Sequence, residues 1–441
     1  MIIILSHNMH RRFPWRTIMK SYVLKGNICH SSAEGKTETF PNSYLVCENG
    51  ICKGIFSQLP EEYANLPLTD WGDKLLIPGM SDLHIHAPQF SFRGLGMDME
   101  LLDWLNTYTF PEESKYADLA YADKAYSQFV KHLHKSVTTR GVIFGTIHAP
   151  ATTLLMEKLE QSGMVTYVGK VNMDRNSPDY LRETDAAASL EATEQWVCET
   201  KDRFANTYPI LTPRFVPSCT DELLAGLGKL SQKYKIPVQS HLSENFGEIA
   251  WVKELQPDAK FYGDAYDRFG LFGGDQPCIM AHCVHSGPEE IALMKERGVF
   301  IAHSPLSNTN LASGVAPISG YMAEGLNVAL ASDVAGGDDL SLFGVMAGAI
   351  RASNLRWRLL DQEVKPLSVE QAFYLATRGG GAFFGKVGAF EDGYEMDCVV
   401  LDDSSIDHPQ ELSLRSRLDR SFYLADDRHI VAKYVRGTKI L

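Results

Sequence analysis

The chain has 441 residues, of which 44% are hydrophobic and 22% are charged, so it can form a barrel-sized core with a smaller second domain. Its composition lacks the polar bias that is typical of disordered chains. Lys and Arg number 42 against 55 Asp and Glu, and the formal net charge of -13 repels phosphate backbones and anionic lipid. We therefore expect neither nucleic acid nor a membrane as a partner.

The cysteines and the start of the chain bear on its compartment. Eight cysteines are scattered along the sequence, mostly in apolar runs, which predicts reduced, buried thiols in a cytoplasmic protein. No stretch reaches the roughly 18 apolar residues of a membrane span, and Met1–Leu5 is too short for a signal peptide. Residues 1–18 have neither helical nor strand periodicity, so we predict a disordered leader with Met19 as the true start.

Short alternating segments broken by Gly, Asn and Pro fill residues 19–76 and predict β-hairpins. Residues 386–441 contain two more strand-like runs, Asp397–Asp402 and His429–Val435. We expect both chain ends to join one small β-sandwich domain.

Residues 77–385 alternate apolar strand-like runs with amphipathic helical patterns, which is typical of α/β proteins with a parallel sheet. The eight runs are Leu75–His86, Gly141–His148, Met164–Asn172, Ile210–Pro217, Ile236–His241, Cys278–His282, Val299–His303 and Leu326–Asp333. This number predicts a (β/α)8 TIM-type barrel. An open doubly wound sheet is the alternative, but Gly94-Leu95-Gly96 lacks the third glycine and the preceding strand of a dinucleotide-binding turn.

Metal-type ligands close four of these runs. They are the pair His84 and His86, then His241, His282 and Asp333. Residues i and i+2 of a strand point to the same side, and the active sites of such barrels lie at the carboxyl ends of the strands. A single histidine there is more often structural, but the whole set supplies the nitrogen and oxygen ligands that suit Zn²⁺.

Other histidines serve as controls for this interpretation. His132 and His134 flank Leu133 in a helical pattern, so we predict that they lie on a solvated helix surface. His148 and His303 also close strand-like runs, and we expect them to pack beside the site without binding metal.

The ordered ligand set resembles the signature of the amidohydrolase superfamily, and several strings narrow the resemblance to the guanine deaminase family. These strings are His84-Ile-His86-Ala-Pro-Gln89, Thr109-Phe-Pro111, Thr212-Pro-Arg214-Phe215-Val-Pro217, His241-Leu-Ser-Glu244-Asn245 and Ser332-Asp333-Val-Ala-Gly-Gly337. The resemblance covers nearly the whole chain from Tyr22. It implies that one zinc ion is bound by His84, His86, His241 and Asp333, and that His282 hydrogen-bonds the attacking water or the developing oxyanion. It also implies a homodimer.

The residues near the ligands suggest how protons move. Zinc lowers the pKa of bound water toward about 7. Glu244 follows His241 closely enough to carry a proton from that water to the substrate, although it could also be a surface carboxylate at a helix start. Asp333 can align the water as well as contact the metal.

Substrate recognition is assigned to Gln89, Arg214 and Phe215, with His241 and Asp333 also facing the substrate. Arg214 offers donors that suit O6 and N7 of guanine, Gln89 offers a donor and an acceptor, and Phe215 could stack on the ring. A salt bridge and a core aromatic are the structural alternatives, and the resemblance favours recognition. It implies hydrolysis of guanine to xanthine and ammonia. Two alternatives stay open: a related aminohydrolase of a pterin, cytosine or adenosine-like ring, or a chlorohydrolase, and a barrel that serves only as a scaffold.

Overall fold

The computed structural model describes residues 21–441. The prediction of a disordered leader over residues 1–18, with a start at Met19, lies outside this range. No helix within residues 21–441 is long and apolar enough to cross a membrane.

Parallel and antiparallel strands are both present. In chain order the strands are β1 (Tyr22–Ser31), β2 (Thr37–Glu48), β3 (Ile51–Phe56), β4 (Leu68–Pro78), β5 (Met80–His86), β6 (Thr138–Phe144), β7 (Val165–Gly169), β8 (Val171–Asn172), β9 (Thr207–Pro209), β10 (Thr212–Pro213), β11 (Val238–Leu242), β12 (Cys278–His282), β13 (Phe300–His303), β14 (Asn327–Leu330), β15 (Cys398–Leu401), β16 (Ile430–Val435) and β17 (Thr438–Lys439).

Helices separate most of the parallel strands. The α-helices are α1 (Leu101–Trp104), α2 (Phe110–Ser114), α3 (Leu119–Lys135), α4 (Ala149–Ser162), α5 (Ala186–Thr200), α6 (Asp221–Tyr234), α7 (Phe246–Leu255), α8 (Tyr262–Asp267), α9 (Pro288–Arg297), α10 (Pro305–Asn310), α11 (Ile318–Ala323), α12 (Leu342–Leu359), α13 (Val369–Tyr374) and α14 (Leu414–Leu424). A π-helical segment, Leu105–Thr109, joins α1 to α2.

Both chain ends contribute to one mixed sheet. Within residues 21–441 this sheet has seven strands in the order β17-β16-β15-β4-β1-β2-β3. Its own buried cluster includes Leu24, Leu45, Leu76 and Val400. The strands of this sheet thus come from both ends of the sequence, and the small β-sandwich domain stays a prediction.

The central part of the chain is α/β with parallel strands. Two four-stranded parallel sheets have the orders β5-β6-β7-β9 and β11-β12-β13-β14, and β8 pairs with β10. Backbone hydrogen bonds join the two larger sheets along both edges. On one side Gln239 N donates to Leu211 O (2.9 Å), and on the other Asp333 N donates to His84 O (2.9 Å).

The first predicted run, Leu75–His86, is in fact two strands. Residues up to Pro78 belong to β4 in the mixed sheet, and Met80 begins β5 in the first parallel sheet, so only Gly79 separates the two sheets along the chain. A Cβ atom at Gly79 would lie 2.3 Å from the Thr139 side chain, so only glycine fits at this crossing.

Apolar residues of mixed size fill the space between the parallel strands. This buried cluster consists of Leu83, Val142, Ile210, Ile279, Ala281, Ala302, Ala329, Ala331 and Phe383. Alternate residues of each strand point toward it because the side-chain period of a strand is two. These residues form a packed apolar layer between the parallel strands.

Buried ion pairs join the mixed sheet to the first parallel sheet. Arg140 in β6 donates to both carboxylate oxygens of Asp397 (2.7 and 3.0 Å) and to Glu395 (2.7 Å). Arg140 is 1% exposed and Asp397 is 2% exposed. Lys433 in β16 donates to the carbonyl oxygens of Ser136 and Thr138 (3.0 and 2.9 Å).

Arg140→Met should lower the free energy of unfolding by about 3–5 kcal/mol, because the carboxylate of Asp397 would be left buried without its partner. The shift of the urea transition measures this change. Arg297→Met is the matched control, since Arg297 pairs with Asp267 at the surface (2.8 Å) and should change stability by about 1 kcal/mol or less. Equal shifts in both variants would contradict this role of Arg140.

Candidate active site

The five predicted ligand-type residues meet at the carboxyl ends of four strands. His84 and His86 lie in β5, His241 lies in β11, His282 ends β12, and Asp333 follows β14. Their side chains converge because the carboxyl ends of parallel strands share one edge of a sheet.

The imidazole nitrogens lie close together. His86 Nε2 is 3.1 Å from His84 Nε2 and 3.2 Å from His241 Nε2. Asp333 Oδ1 is 3.2 Å from His84 Nε2 and 3.5 Å from His86 Nε2. Two groups of three ligand atoms, His84 with His86 and His241, and His84 with His282 and Asp333, each fall within 4.8 Å.

The protonation states of the histidines favour a cation between their ring nitrogens. Burial lowers the pKa of His86 and of His241 well below the usual value, so both rings are neutral. His241 Nδ1 lies 2.6 Å from the carbonyl oxygen of Arg214, which can only accept, so Nδ1 carries the proton and Nε2 a lone pair. Facing lone pairs repel unless a cation lies between them, and the donor set therefore fits a bound metal ion.

Asp333 completes the donor set with a carboxylate. Burial alone would raise its pKa, but the neighbouring His84, His282 and His241 outweigh burial and lower it to about 2. The side chain is therefore ionised at neutral pH. An anionic oxygen beside neutral imidazoles is a donor set that Zn²⁺ accepts.

Glu244 and His282 form a second pair beside the ligands. Glu244 Oε2 lies 3.3 Å from His282 Nε2, and Ser313 donates to Glu244 Oε1 (2.9 Å). Burial raises the pKa of Glu244 to about 7, partly opposed by the charge of His282. Burial alone would lower the pKa of His282, but Glu244 and Asp333 outweigh it and raise the pKa. The pair can therefore hold a proton near neutral pH.

Glu244 is not a surface carboxylate, since it is 3% exposed. It lies just before α7, and its backbone N–H donates to Glu248 Oε2 (3.1 Å) in the loop that leads into the capped helix. Ser243, His282 and Asp333 have positive φ values of 48°, 75° and 48°. Such strain in residues other than glycine clusters at functional sites, here at the ends of three strands.

Gln89, Arg214 and Phe215 line the same cavity as the ligand-type residues His86, His241, His282 and Asp333. The cavity has a volume of about 430 Å³ and is also bordered by Leu101, Trp104 and Leu105. Arg214 and Phe215 are 3% and 6% exposed, and Phe215 packs edge-on against Trp251 at 6.2 Å between ring centroids. The structure thus brings the sequence-predicted substrate residues and the ligands to one cavity.

Sequence reasoning missed several partners of these residues. Glu113 pairs with Arg214 (2.6 Å), Asn308 Oδ1 lies 2.8 Å from His282 Nδ1, and Ser313 binds Glu244. Glu113 lies two residues after the string Thr109-Phe-Pro111, which could have drawn attention to it. Asn308 lies in the short helix α10 and Ser313 lies in the loop that follows it. No local sequence pattern indicates a role for either residue.

The control histidines lie away from the ligand atoms. His132 is exposed on α3, and His134 Nε2 donates to the carbonyl oxygen of Ile440 (3.0 Å), while Leu133 between them is buried. Burial lowers the pKa of His303 to about 3, and neither His148 nor His303 belongs to a metal-type group within residues 21–441.

Comparisons with known proteins agree with this geometry. Residues 75–440 match the model of the amidohydrolase family. The guanine deaminase of Dictyostelium discoideum is 37% identical over 95% of this chain and 98% of its own length, and that of Escherichia coli is 35% identical over 92% and 89%. A crystal structure of guanine deaminase from C. acetobutylicum with guanine bound in its active site has a TM-score of 0.93 and 48% identity, and covers 96% of this chain and 100% of that one.

These matches extend over nearly the whole chain and include the strand ends that carry the ligand-type residues. The chain belongs to the amidohydrolase family, among the guanine deaminases.

Proposed function

We propose that this chain hydrolyses guanine to xanthine and ammonia at a single zinc ion. The observation that carries the proposal is the cavity in which neutral imidazoles, an ionised Asp333 and a buried acid–base pair face the polar side chains of Gln89 and Arg214. The relatives named guanine deaminase, one of them solved with guanine in its active site, support the choice of substrate.

His84, His86, His241 and Asp333 would hold the zinc ion. Imidazole nitrogens and a carboxylate oxygen are donor types that Zn²⁺ binds, and the fourth strand region, Thr207–Pro213, contains no lysine that could bridge a second metal ion. When bound, zinc supplies a Lewis acid that makes water a nucleophile at neutral pH. The chain's own residues then orient the reactants and move the protons.

Glu244 would carry the proton from water to a ring nitrogen. Its pKa of about 7 lets it accept and return a proton at neutral pH, and Ser313 holds its far oxygen while the other oxygen faces His282. Asp333 Oδ2 lies 3.7 Å from His282 Nε2, so both groups can align the water and His282 can stabilise the developing oxyanion.

Gln89, Arg214 and Phe215 would orient the purine. Arg214 can donate to O6 and N7, and the Gln89 amide can both donate and accept at the ring edge. Phe215 offers an apolar ring at the cavity wall. His241 and Asp333 border the cavity from the metal side, so the amino group at C2 would be held against them.

We propose the finer architecture together with this function. The backbone hydrogen bonds along both edges of the parallel sheets support a closed (β/α)8 barrel over residues 77–385. The shared seven-stranded sheet supports a small β domain from residues 19–76 and 386–441. The thiols form no disulfide within residues 21–441, which supports a cytoplasmic protein, and the family resemblance supports a homodimer.

His84→Ala should lose zinc, whereas His132→Ala on the outer face of α3 should keep it. Elemental analysis of the purified proteins measures the difference, and the unaltered chain should carry one zinc ion. Two metal ions per fully loaded chain, or equal losses in the two variants, would overturn the single-metal site.

Glu244→Gln should keep zinc and slow turnover by about 10²–10⁴-fold, because the amide has the shape of the acid but cannot accept the proton. Steady-state ammonia release and metal content measure the two effects. Glu254→Gln on the exposed side of α7 is the matched control and should leave both unchanged. Loss of zinc in Glu244→Gln, or turnover close to normal, would remove Glu244 from this role.

Guanine should be deaminated far faster than adenine, by as much as roughly 10⁴–10⁵-fold in kcat/KM. Adenine presents an amino donor where guanine presents the O6 acceptor, which would leave the N–H groups of Arg214 that face the cavity buried without an acceptor. The ratio should shrink in Arg214→Ala, and Gln89→Ala should weaken guanine turnover with zinc still bound. Faster ammonia release from a pterin or cytosine, unaffected by Arg214→Ala, would refute guanine as the substrate.

A further inference from the structure

Glu113 lies behind the cavity wall that Gln89 and Arg214 form. It is in α2, it is 1% exposed, and its carboxylate faces both of those side chains. Oε2 accepts from Arg214 Nη1 (2.6 Å), while Oε1 accepts from Arg214 Nη2 (3.2 Å) and from Gln89 Nε2 (3.0 Å). One buried carboxylate therefore contacts both residues to which substrate recognition is assigned.

The first consequence concerns the orientation of the Gln89 amide. Its Nε2 donates to Glu113, and its Oε1 accepts from the backbone N–H of Ala335 (3.3 Å). With both ends held, the amide cannot exchange its donor and acceptor. One N–H and one lone pair remain for a ligand, in a fixed order along the cavity wall.

The second consequence concerns charge. Arg214 is 3% exposed, and the ring of Phe110 lies 5.3 Å from its guanidinium carbon, so the cation is removed from water. The two-pronged pair with Glu113 cancels its charge and uses two of its five N–H groups. The remaining N–H groups of Arg214 can still donate, but Arg214 and Glu113 together carry no net charge.

We propose that Glu113 is a positioning residue that sets the substrate specificity of this pocket for neutral purine rings over anionic ones. The inference rests on the proposed function and deepens it. Guanine is neutral near physiological pH, whereas xanthine, the product, is a stronger acid and forms a monoanion more readily. An unpaired guanidinium would retain that anion, and the Glu113–Arg214 pair removes this attraction and so favours product release.

The neighbouring Glu112 provides a matched control. It lies in the same short helix and is 7% exposed, but it accepts from Ser91 Oγ (2.9 Å), Lys115 Nζ (2.6 Å) and the hydroxyl of Tyr121. The hydrogen bonds of Gln89 and Arg214 to this helix go to Glu113 and not to Glu112. Glu112→Gln therefore tests what the same change does to α2 alone.

Glu113→Gln should raise the KM for guanine by about tenfold to a hundredfold, the range for losing a hydrogen bond to a charged group. Its kcat should change by less than about threefold, because contacts at a non-reacting edge hold the ground state and the transition state equally. Inhibition by xanthine, measured at a pH where xanthine is largely its monoanion, should become about tenfold tighter, because the charge of Arg214 is no longer cancelled. Glu112→Gln should change neither constant.

A higher KM for guanine together with tighter inhibition by xanthine distinguishes this role from a structural one. Loss of a merely structural residue would weaken the binding of both molecules. Unchanged constants in Glu113→Gln, or the same changes in Glu112→Gln, would overturn the proposal. If Glu113→Gln does not fold, the double variant Glu113→Gln/Arg214→Gln restores a neutral wall and should bind xanthine no more tightly than the unaltered chain; tighter binding there would also overturn it. Failure of the unaltered chain to release ammonia from guanine would refute the proposed function instead.

Discussion

The lone pairs of buried, neutral histidines meet at the ends of β5 and β11, and this repulsion is the constraint on which the rest of the site depends. The Nε2 atoms lie 3.1–3.2 Å apart, and His241 has its proton held on the opposite nitrogen by a backbone carbonyl. Burial keeps the rings neutral, so they cannot relieve the contact by taking up protons. A cation between the ring nitrogens would remove this repulsion, so the fold favours a cation there.

The acid–base pair of Glu244 and His282 and the cavity wall of Gln89 and Arg214 lie beside these histidines. Glu244 follows β11, His282 ends β12, and the two can share a proton, while Asp333 stays ionised because it faces the histidines. On the other side of the cavity, Arg214 supplies both the carbonyl that orients His241 and the guanidinium of the cavity wall. A single residue of the chain thus contacts a ligand-type histidine and lines the cavity.

Much of this arrangement could be predicted from the sequence. The ligand spacing, the order of the strand-like runs and the strings around Glu244 and Arg214 are local patterns, and the structure brings those residues together. The division of the first run at Gly79 was missed, because the apolar end of β4, Leu75–Pro78, continues into buried β5 across a single glycine and only the pairing partners differ. The link from Glu113 to Arg214 was also missed, since it joins residues 101 positions apart through side-chain contacts that no periodicity encodes.

The hydrogen bond between Asp333 and β5 affects the order in which the chain can fold. His86 and His241 are 155 positions apart, and the backbone N–H of Ser332 reaches Asp82 across 250 positions. Contacts of such long sequence separation form late, because the entropy of closing the loop must be overcome first. During synthesis from the N-terminus, the first two histidines emerge long before the aspartate. The complete set of ligand-type residues therefore forms only when the chain after β14 has docked against β5.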